Sequence, residues 1–256
     1  GFVENTEVDA LKAEVQSLEL ELKKLKEASE KNSGRRVRTF IGDGNRQYLT
    51  GLNLGGRHIA ILVDTSNSML AEKLVQIIRL RNMNESVQQN ADKWVRTLNT
   101  ADWLAAQLPP ASKYQLITFN TSANFALPQT RGKWLEVANR QQLAQVMGNL
   151  RNIVPSGGTS LENAFIALQE LSPRPDNIFL ITDGLPTLGQ KEPRKAKVSG
   201  SERVKLYRQA IKKLPANVPV NIILAPLEGD PMAASELWKL ALASNGSFLS
   251  PSKDWP

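Results

Sequence analysis

The sequence of 256 residues contains no cysteine and a single histidine, His58. Without thiols the chain has no disulfide framework, no zinc ribbon and no cysteine nucleophile. No apolar run approaches the roughly 20 residues that a membrane-spanning helix needs, and no secretory leader is evident. The sequence begins with Gly-Phe-Val rather than with methionine. We therefore expect the natural protein to extend further, which leaves a membrane anchor before residue 1 open.

Acidic side chains are fewer than basic ones, 25 Asp and Glu against 32 Lys and Arg, and the net charge is +7. Residues 1–33 carry more acidic than basic side chains, so the positive excess lies in residues 34–256. Such a balance favours an acidic partner, whether protein, anionic lipid or nucleic acid. Nucleic acid is the least favoured of these, because aromatic residues do not interleave with the basic ones.

Residues 7–27 carry apolar side chains spaced alternately three and four residues apart, which is the rhythm of a coiled coil. These residues are Val8, Leu11, Val15, Leu18, Leu22 and Leu25. The pattern predicts a stalk helix over residues 1–33. Valine and leucine at the core positions, with the flanking charges, favour a parallel dimer through residues 7–27. The alternative is a single amphipathic helix that packs on its own domain.

Residues 59–63 form a run of apolar residues rich in β-branched types, which predicts a strand that is buried on both faces. The run ends at Asp64-Thr65-Ser66-Asn67-Ser68. These residues offer one carboxylate and two serine hydroxyls, which are hard oxygen ligands suited to magnesium. Asp and Ser are also common N-cap residues. This segment alone does not decide between a metal site and helix capping.

Further strands are predicted at 114–120, 177–182, 219–225 and 247–249, with helices between them. The predicted helices span 71–83, 90–108, 140–151, 161–171, 202–214 and 232–243. Alternating strands and helices predict an α/β domain with a doubly wound, mostly parallel sheet flanked by helices. We assign residues 57–256 to this domain and residues 34–56 to a linker with an edge strand near 47–52.

Polar side chains follow two buried strands and also occupy a glycine-bearing loop. Asp64, Ser66 and Ser68 follow the first strand, the loop at 155–160 presents Thr159, and Asp183 follows the strand at 177–182. If the strands are neighbours, their carboxyl ends share one crevice. Two carboxylates and three hydroxyls would then meet there.

The motifs DTSNS at 64–68, GGTS at 157–160 and ITDG at 181–184 resemble those of the von Willebrand factor A (VWA) family with its metal-ion-dependent adhesion site. The resemblance covers roughly residues 57–250. It implies that Ser66, Ser68 and Thr159 contact the metal, and that Asp64 and Asp183 act directly or through water. The expected ion is a divalent cation, Mg²⁺ before Mn²⁺ or Ca²⁺, and its expected partner is a protein that offers an Asp or Glu carboxylate.

The sequence departs from the family in two places. Residues 70–90 form an insertion close to the crevice, and no C-terminal helix follows the last strand. In the family such a helix moves when binding affinity switches. A loop with several basic residues follows a strand end on the same side as the crevice. This basic set could steer an acidic partner toward the ion. The alternative is that the loop is simply solvated. The members of the basic set are Lys191, Arg194, Lys195 and Lys197.

The sequence supports a metal-dependent protein-binding module displayed on a dimerising stalk. Resemblance to bacterial VWA proteins with a helical stem implies a membrane-anchored protein with an extracytoplasmic domain. The alternative is a scaffold subunit of a larger membrane-associated complex, in which the metal serves stability. An enzyme is not expected, because no nucleophile–base pair and no phosphate-binding loop of the Walker type is present.

Overall fold

The computed structural model describes residues 39–42, 46–49, 52, 54–191 and 197–256. The predicted stalk helix at 1–33 lies outside the described residues, so its helix and its dimerisation stay predictions. Strands β1 (Thr39–Gly42) and β2 (Arg46–Leu49) pair antiparallel in a two-stranded sheet of their own. The expected edge strand therefore pairs with the segment just before it. The three residues between these strands in the sequence are Asp43-Gly44-Asn45, a composition that favours a tight turn.

A second sheet of seven strands forms the centre of the domain. Its strands are β3 (His58–Asp64), β4 (Lys113–Phe119), β5 (Ala123–Phe125), β6 (Leu135–Glu136), β7 (Asn177–Thr182), β8 (Val220–Leu224) and β9 (Phe248–Leu249). The order is β5-β4-β3-β7-β8-β9, with β6 paired to β4. Strands β3, β4, β7, β8 and β9 run parallel, and β5 and β6 run antiparallel to β4.

Strand β3 lies between β4 and β7, and its two faces contribute to different hydrophobic clusters. Ile59, Ile61 and Val63 join one cluster, whereas Ala60 and Leu62 join the other. An apolar residue at every position is what a strand covered on both faces requires. The predicted α/β architecture with a mostly parallel sheet between two helical layers is confirmed.

Helices cover both faces of this sheet. They are α1 (Leu74–Leu80), α2 (Glu85–Gln89), α3 (Asp92–Gln107), α4 (Arg140–Arg151), α5 (Leu161–Leu168), α6 (Gly200–Ile211) and α7 (Ala233–Ala243). Buried residues of α3 and α4 belong to the first hydrophobic cluster, and those of α5, α6 and α7 belong to the second. Among the described residues no helix is long and apolar enough to cross a bilayer.

The insertion at 70–90 contains two short helices rather than one longer one. The prediction of a helix over 71–83 is too long, because α1 ends at Leu80. Between the two helices predicted at 71–83 and 90–108 lies α2, whose N-cap is Asn84. The Asn84 side chain accepts a hydrogen bond from the Val87 N–H at 3.0 Å, which fixes the start of this helix.

The residues after β9 contain no helix as far as the structure describes them, which is residues 250–256. Trp255 is buried there, and its ring meets that of Trp103 edge to face at 5.1 Å between centroids. Trp94 and Trp103, the two tryptophans of α3, are both buried in the first hydrophobic cluster.

Candidate functional site

The site begins at the carboxyl end of β3, where Asp64 is fully buried. One carboxylate oxygen accepts a hydrogen bond from the Ser66 N–H at 2.9 Å. The other accepts one from the Thr182 hydroxyl at 2.7 Å, which ties the end of β3 to the end of β7. Burial first, and the nearby Asp183 carboxylate second, raise the pKa of Asp64 from its ordinary value to about 7.

Backbone hydrogen bonds join the second motif to the first. The Asn67 N–H donates to the Gly157 carbonyl at 3.0 Å, and the Ser156 N–H donates to the Thr65 carbonyl at 2.9 Å. Gly157 has φ +73°, a left-handed conformation that glycine adopts without strain. Gly158 has no room for a side chain, because a Cβ would lie 2.7 Å from Thr187 Oγ1.

Thr159 lies at the buried end of this loop, next to the loop that follows β7. Its N–H donates to the Thr187 hydroxyl oxygen at 2.9 Å, and its carbonyl accepts from the Thr187 N–H at 2.9 Å. Ser160 then caps α5 by accepting from the Asn163 N–H at 3.2 Å. Capping therefore explains Ser160 in this loop.

Capping does not explain the serine hydroxyls of the first motif. Ser66 precedes the short 3-10 helix Asn67–Leu70, but its side chain makes no capping hydrogen bond. Instead Ser66 Oγ lies 3.0 Å from Ser68 Oγ. Octahedral Mg²⁺ binds oxygen at about 2.0–2.1 Å, so two adjacent ligands should lie about 2.9 Å apart. The two serine hydroxyls form a hydrogen bond with each other, and its length also matches the spacing of two neighbouring magnesium ligands.

The structure places Asp183 in this crevice but already paired with a cation. Its Oδ2 lies 2.9 Å from the ammonium group of Lys93, near the start of α3, and both side chains are buried. Lys93 was not recognised in the sequence. A lysine at a helix start is ordinarily exposed, and the sequence pattern contains nothing to distinguish this one.

A second ion pair holds the turn that follows Asp183. Arg203 on α6 lies 2.9 Å from Asp230 Oδ2, and it also donates to the Leu185 carbonyl at 2.6 Å. The Leu185 N–H donates to the same Asp230 oxygen at 2.8 Å. Gly184 is needed here because a Cβ would lie 2.5 Å from that oxygen. The pair fixes the path of the chain just beyond Asp183, and no sequence motif indicates it.

A cavity of about 460 Å³ opens beside Asp183. Its charged lining residues are Glu72, Lys73, Asp183, Glu228 and Asp230. The Glu228 N–H donates to the Glu72 carbonyl at 2.9 Å, so the start of the insertion forms one wall. The insertion therefore shapes the surroundings of the crevice.

The described residues contain no cluster of three or more carboxylate and histidine side chains that could hold a metal. Hydrogen bonds link Asp64, Ser66, Ser68 and Asp183 at the carboxyl ends of β3 and β7, directly or through Lys93. The loop that contains Thr159 bonds to the first motif through its backbone. Metal binding by these five residues stays a prediction. In the basic set, Lys191 and Lys197 are exposed, whereas Arg194 and Lys195 lie outside the described residues.

The family model for the von Willebrand factor type A domain matches residues 59–185. Among solved structures, a von Willebrand factor type A protein from Catenulispora acidiphila aligns with a TM-score of 0.54 and 17% identity, over 78% of this chain and 39% of that one. The chain thus spans well under half of that relative, and the alignment shows the shared fold. A search of curated protein sequences gives no match.

Two further solved structures resemble the chain more distantly. The conserved hypothetical protein BatB from Bacteroides thetaiotaomicron gives a TM-score of 0.41 and 19% identity, over 76% of this chain and 89% of that one. Proximal thread matrix protein 1 from the mussel byssus is described with a zinc-occupied MIDAS motif. It gives a TM-score of 0.42 and 15% identity, over 77% of this chain and 44% of that one.

Proposed function

We propose, from the match of residues 59–185 to the family model of the von Willebrand factor type A domain, that this chain is a protein-binding module. In this proposal a divalent cation, Mg²⁺ first and Mn²⁺ or Ca²⁺ as substitutes, occupies a metal-ion-dependent adhesion site (MIDAS). The cation then captures an Asp or Glu carboxylate of a partner protein. The 3.0 Å spacing of the Ser66 and Ser68 hydroxyl oxygens carries the proposal.

The proposed ligands are the hydroxyls of Ser66, Ser68 and Thr159. Asp64 and Asp183 act directly or through water. Hydroxyl ligands are neutral, so an ion that they hold keeps most of its positive charge. Mg²⁺ prefers six oxygen ligands, and a partner carboxylate can supply one of them. Binding of this kind breaks no covalent bond.

The geometry favours binding over catalysis. The sole histidine of the sequence, His58, begins β3, and Asp64 ends it. Six residues of extended strand separate them by about 20 Å. The histidine is therefore too far from the crevice to act as its general base.

We further propose that α1 forms the rim on which the partner rests. Three apolar side chains of this helix face solvent: Leu74 is 60% exposed, Val75 78% and Ile78 46%. The chain just before α1 lies against the crevice, because the Ala71 carbonyl accepts from Lys93 Nζ at 3.2 Å. The occupant would be a protein segment in which apolar residues flank the captured carboxylate.

The basic set at Lys191, Arg194, Lys195 and Lys197 is proposed to steer acidic partners toward the ion. Such steering raises association rates and weakens with salt. Replacing all four residues with glutamine should lower the association rate of an acidic peptide at low salt and leave its dissociation rate nearly unchanged. Stopped-flow fluorescence with a labelled glutamate peptide measures both rates.

The stalk, the parallel dimer through residues 7–27 and an extracytoplasmic, membrane-anchored location are proposals from the sequence. Light scattering tests the dimer: the chain should have twice the monomer mass, and a chain shortened by residues 1–33 should be monomeric. A monomer mass for both would refute the dimer.

The alternative function is a scaffold subunit of a larger complex, in which the ion stabilises the fold. The observation in its favour is that buried Asp64 accepts hydrogen bonds both from Ser66 of its own motif and from Thr182 of the neighbouring strand. Thermal stability that rises with metal, without capture of any carboxylate probe, would favour the scaffold.

Isothermal titration of metal-stripped protein with Mg²⁺ tests the metal site. Native protein should bind one ion, and Asp64→Ala and Ser66→Ala should weaken binding at least tenfold. Ser156→Ala, which alters an exposed serine of the same region, serves as the matched control and should bind like the native chain. Equal affinity in all four proteins would refute the site.

A further inference from the structure

Lys93 is the most deeply buried cationic side chain beside the crevice, with a side-chain exposure of 2%. Its ammonium group donates to Asp183 Oδ2 at 2.9 Å, to the Ser68 carbonyl at 2.9 Å and to the Ala71 carbonyl at 3.2 Å. An ammonium group has three N–H donors. The three donors therefore join three segments, which are the ITDG motif at Asp183, the DTSNS motif at Ser68 and the start of the insertion at Ala71.

This position is costly for a lysine. Lys93 lies in the first turn of α3, where the positive end of the helix dipole disfavours a cation. Its burial removes water that would otherwise solvate the charge. The Asp183 carboxylate and the two carbonyls offset these costs, so the lysine is held in place by the crevice itself.

We propose that Lys93 is the internal counter-ion of Asp183 and sets how firmly the crevice holds a divalent cation. This inference rests on the proposed function. With Lys93 in place, one of the two carboxylates of the crevice is already neutralised. An incoming cation meets one net negative charge instead of two, and its affinity is lowered accordingly.

The same charge arrangement couples the two binding events. An ion that is held by neutral hydroxyls and one uncompensated carboxylate keeps more of its positive charge than an ion that faces two such carboxylates. It therefore binds the carboxylate of a partner more strongly. Metal and partner should therefore each strengthen the binding of the other, by the reciprocity of coupled equilibria. Lys93 makes firm metal binding conditional on the partner.

The test is Mg²⁺ titration of Lys93→Met, which removes the ammonium charge and keeps an unbranched side chain. Changes in groups around metal ligands typically alter affinity 10- to 100-fold, and we expect a gain of at least tenfold here. Lys73→Met is the matched control, because Lys73 is exposed and lines the cavity beside Asp183. It should bind Mg²⁺ like the native protein.

A second variant makes the cause explicit. In Lys93→Met/Asp183→Asn the crevice again holds one uncompensated carboxylate, Asp64, as in the native protein, and the tenfold gain should disappear. The melting temperature provides an independent readout: Mg²⁺ should raise that of Lys93→Met more than that of the native protein. A variant Lys93→Met that binds Mg²⁺ no tighter than native, or that stays unfolded in Mg²⁺, would overturn the inference.

The outcomes also separate this inference from the proposed function. Mg²⁺ binding by native protein with no gain in Lys93→Met would refute only the counter-ion. Binding by Lys93→Met alone would support the counter-ion and refute a metal site in the native chain. Absence of binding in both proteins would refute both.

Discussion

At Asp64 both carboxylate oxygens accept hydrogen bonds, one from its own motif and one from Thr182 of the next strand. These two contacts explain why an aspartate stands at the end of β3. The contacts of the crevice were predictable from the sequence only in part. The motif spacing indicated that Asp64 and Asp183 would meet, but the Lys93 ammonium between the insertion and Asp183 has no sequence signature.

The metal-free protein should show a pH dependence that originates at Asp64. Burial raises its pKa to about 7 in the folded protein, against 3.8 ordinarily. A raised folded-state pKa contributes stability that is fully present below the unfolded value and is lost as the pH rises through the folded one. The free energy of unfolding should therefore fall between about pH 4 and 7.

Asp64→Asn tests this dependence, because asparagine keeps the shape of the side chain and does not titrate. Urea unfolding in EDTA should be repeated at several pH values from about 4 to 7. The free energy of unfolding should decline less with rising pH for the variant than for the native protein. Parallel curves for the two proteins would contradict the account.

Thr187 should act on the metal site through Thr159, whose N–H it accepts. Thr187→Val removes this acceptor, and a lost hydrogen bond of this kind costs about 1 kcal/mol of stability. Mg²⁺ affinity should fall less than in Thr159→Val, which removes a ligand itself. Titration of both variants checks the order, and a larger loss in Thr187→Val would contradict the ligand assignment.

At the scale of elements, the long strands and helices were predictable because their patterns are long. Helix α4 matches its predicted range of 140–151, and β7 matches 177–182. The two-residue strand β6 was missed because so short a segment has no periodicity. Helix α2 was missed for a related reason, since five polar-rich residues depend on the Asn84 cap rather than on an apolar face.

The exposed side chains of α1 should contribute to partner binding but not to metal binding. Replacing Leu74, Val75 and Ile78 with serine should lower the affinity for a peptide with leucines beside a glutamate by roughly 3- to 10-fold, given about 0.8 kcal/mol per buried methylene. The affinity for a peptide with serines beside the glutamate should not change. Fluorescence anisotropy in Mg²⁺ measures both.

The control for this experiment lies on α7, where Trp238 and Leu242 are also exposed. Serine at both of these positions should leave the leucine-flanked peptide unaffected. Equal losses from the α1 and α7 variants would indicate nonspecific hydrophobic binding and would contradict the proposed rim.

At the scale of the whole molecule, a parallel sheet brings the carboxyl ends of β3 and β7 to one edge. Ligand sites in open α/β sheets lie at such an edge. This rule predicts the location of the proposed metal site from the strand order. The charge of the site was not predictable, because it depends on which face of α3 the first turn presents to the crevice.

The central claim is capture of a carboxylate by a bound cation. Two labelled peptides that differ only in one residue, glutamate or glutamine, test it by anisotropy in Mg²⁺ and in EDTA. The account predicts that the glutamate peptide binds native protein in Mg²⁺ at least tenfold more tightly than the glutamine peptide, and that EDTA or Asp64→Ala abolishes this preference. Equal binding of the two peptides in Mg²⁺, or a preference that survives EDTA, would contradict it.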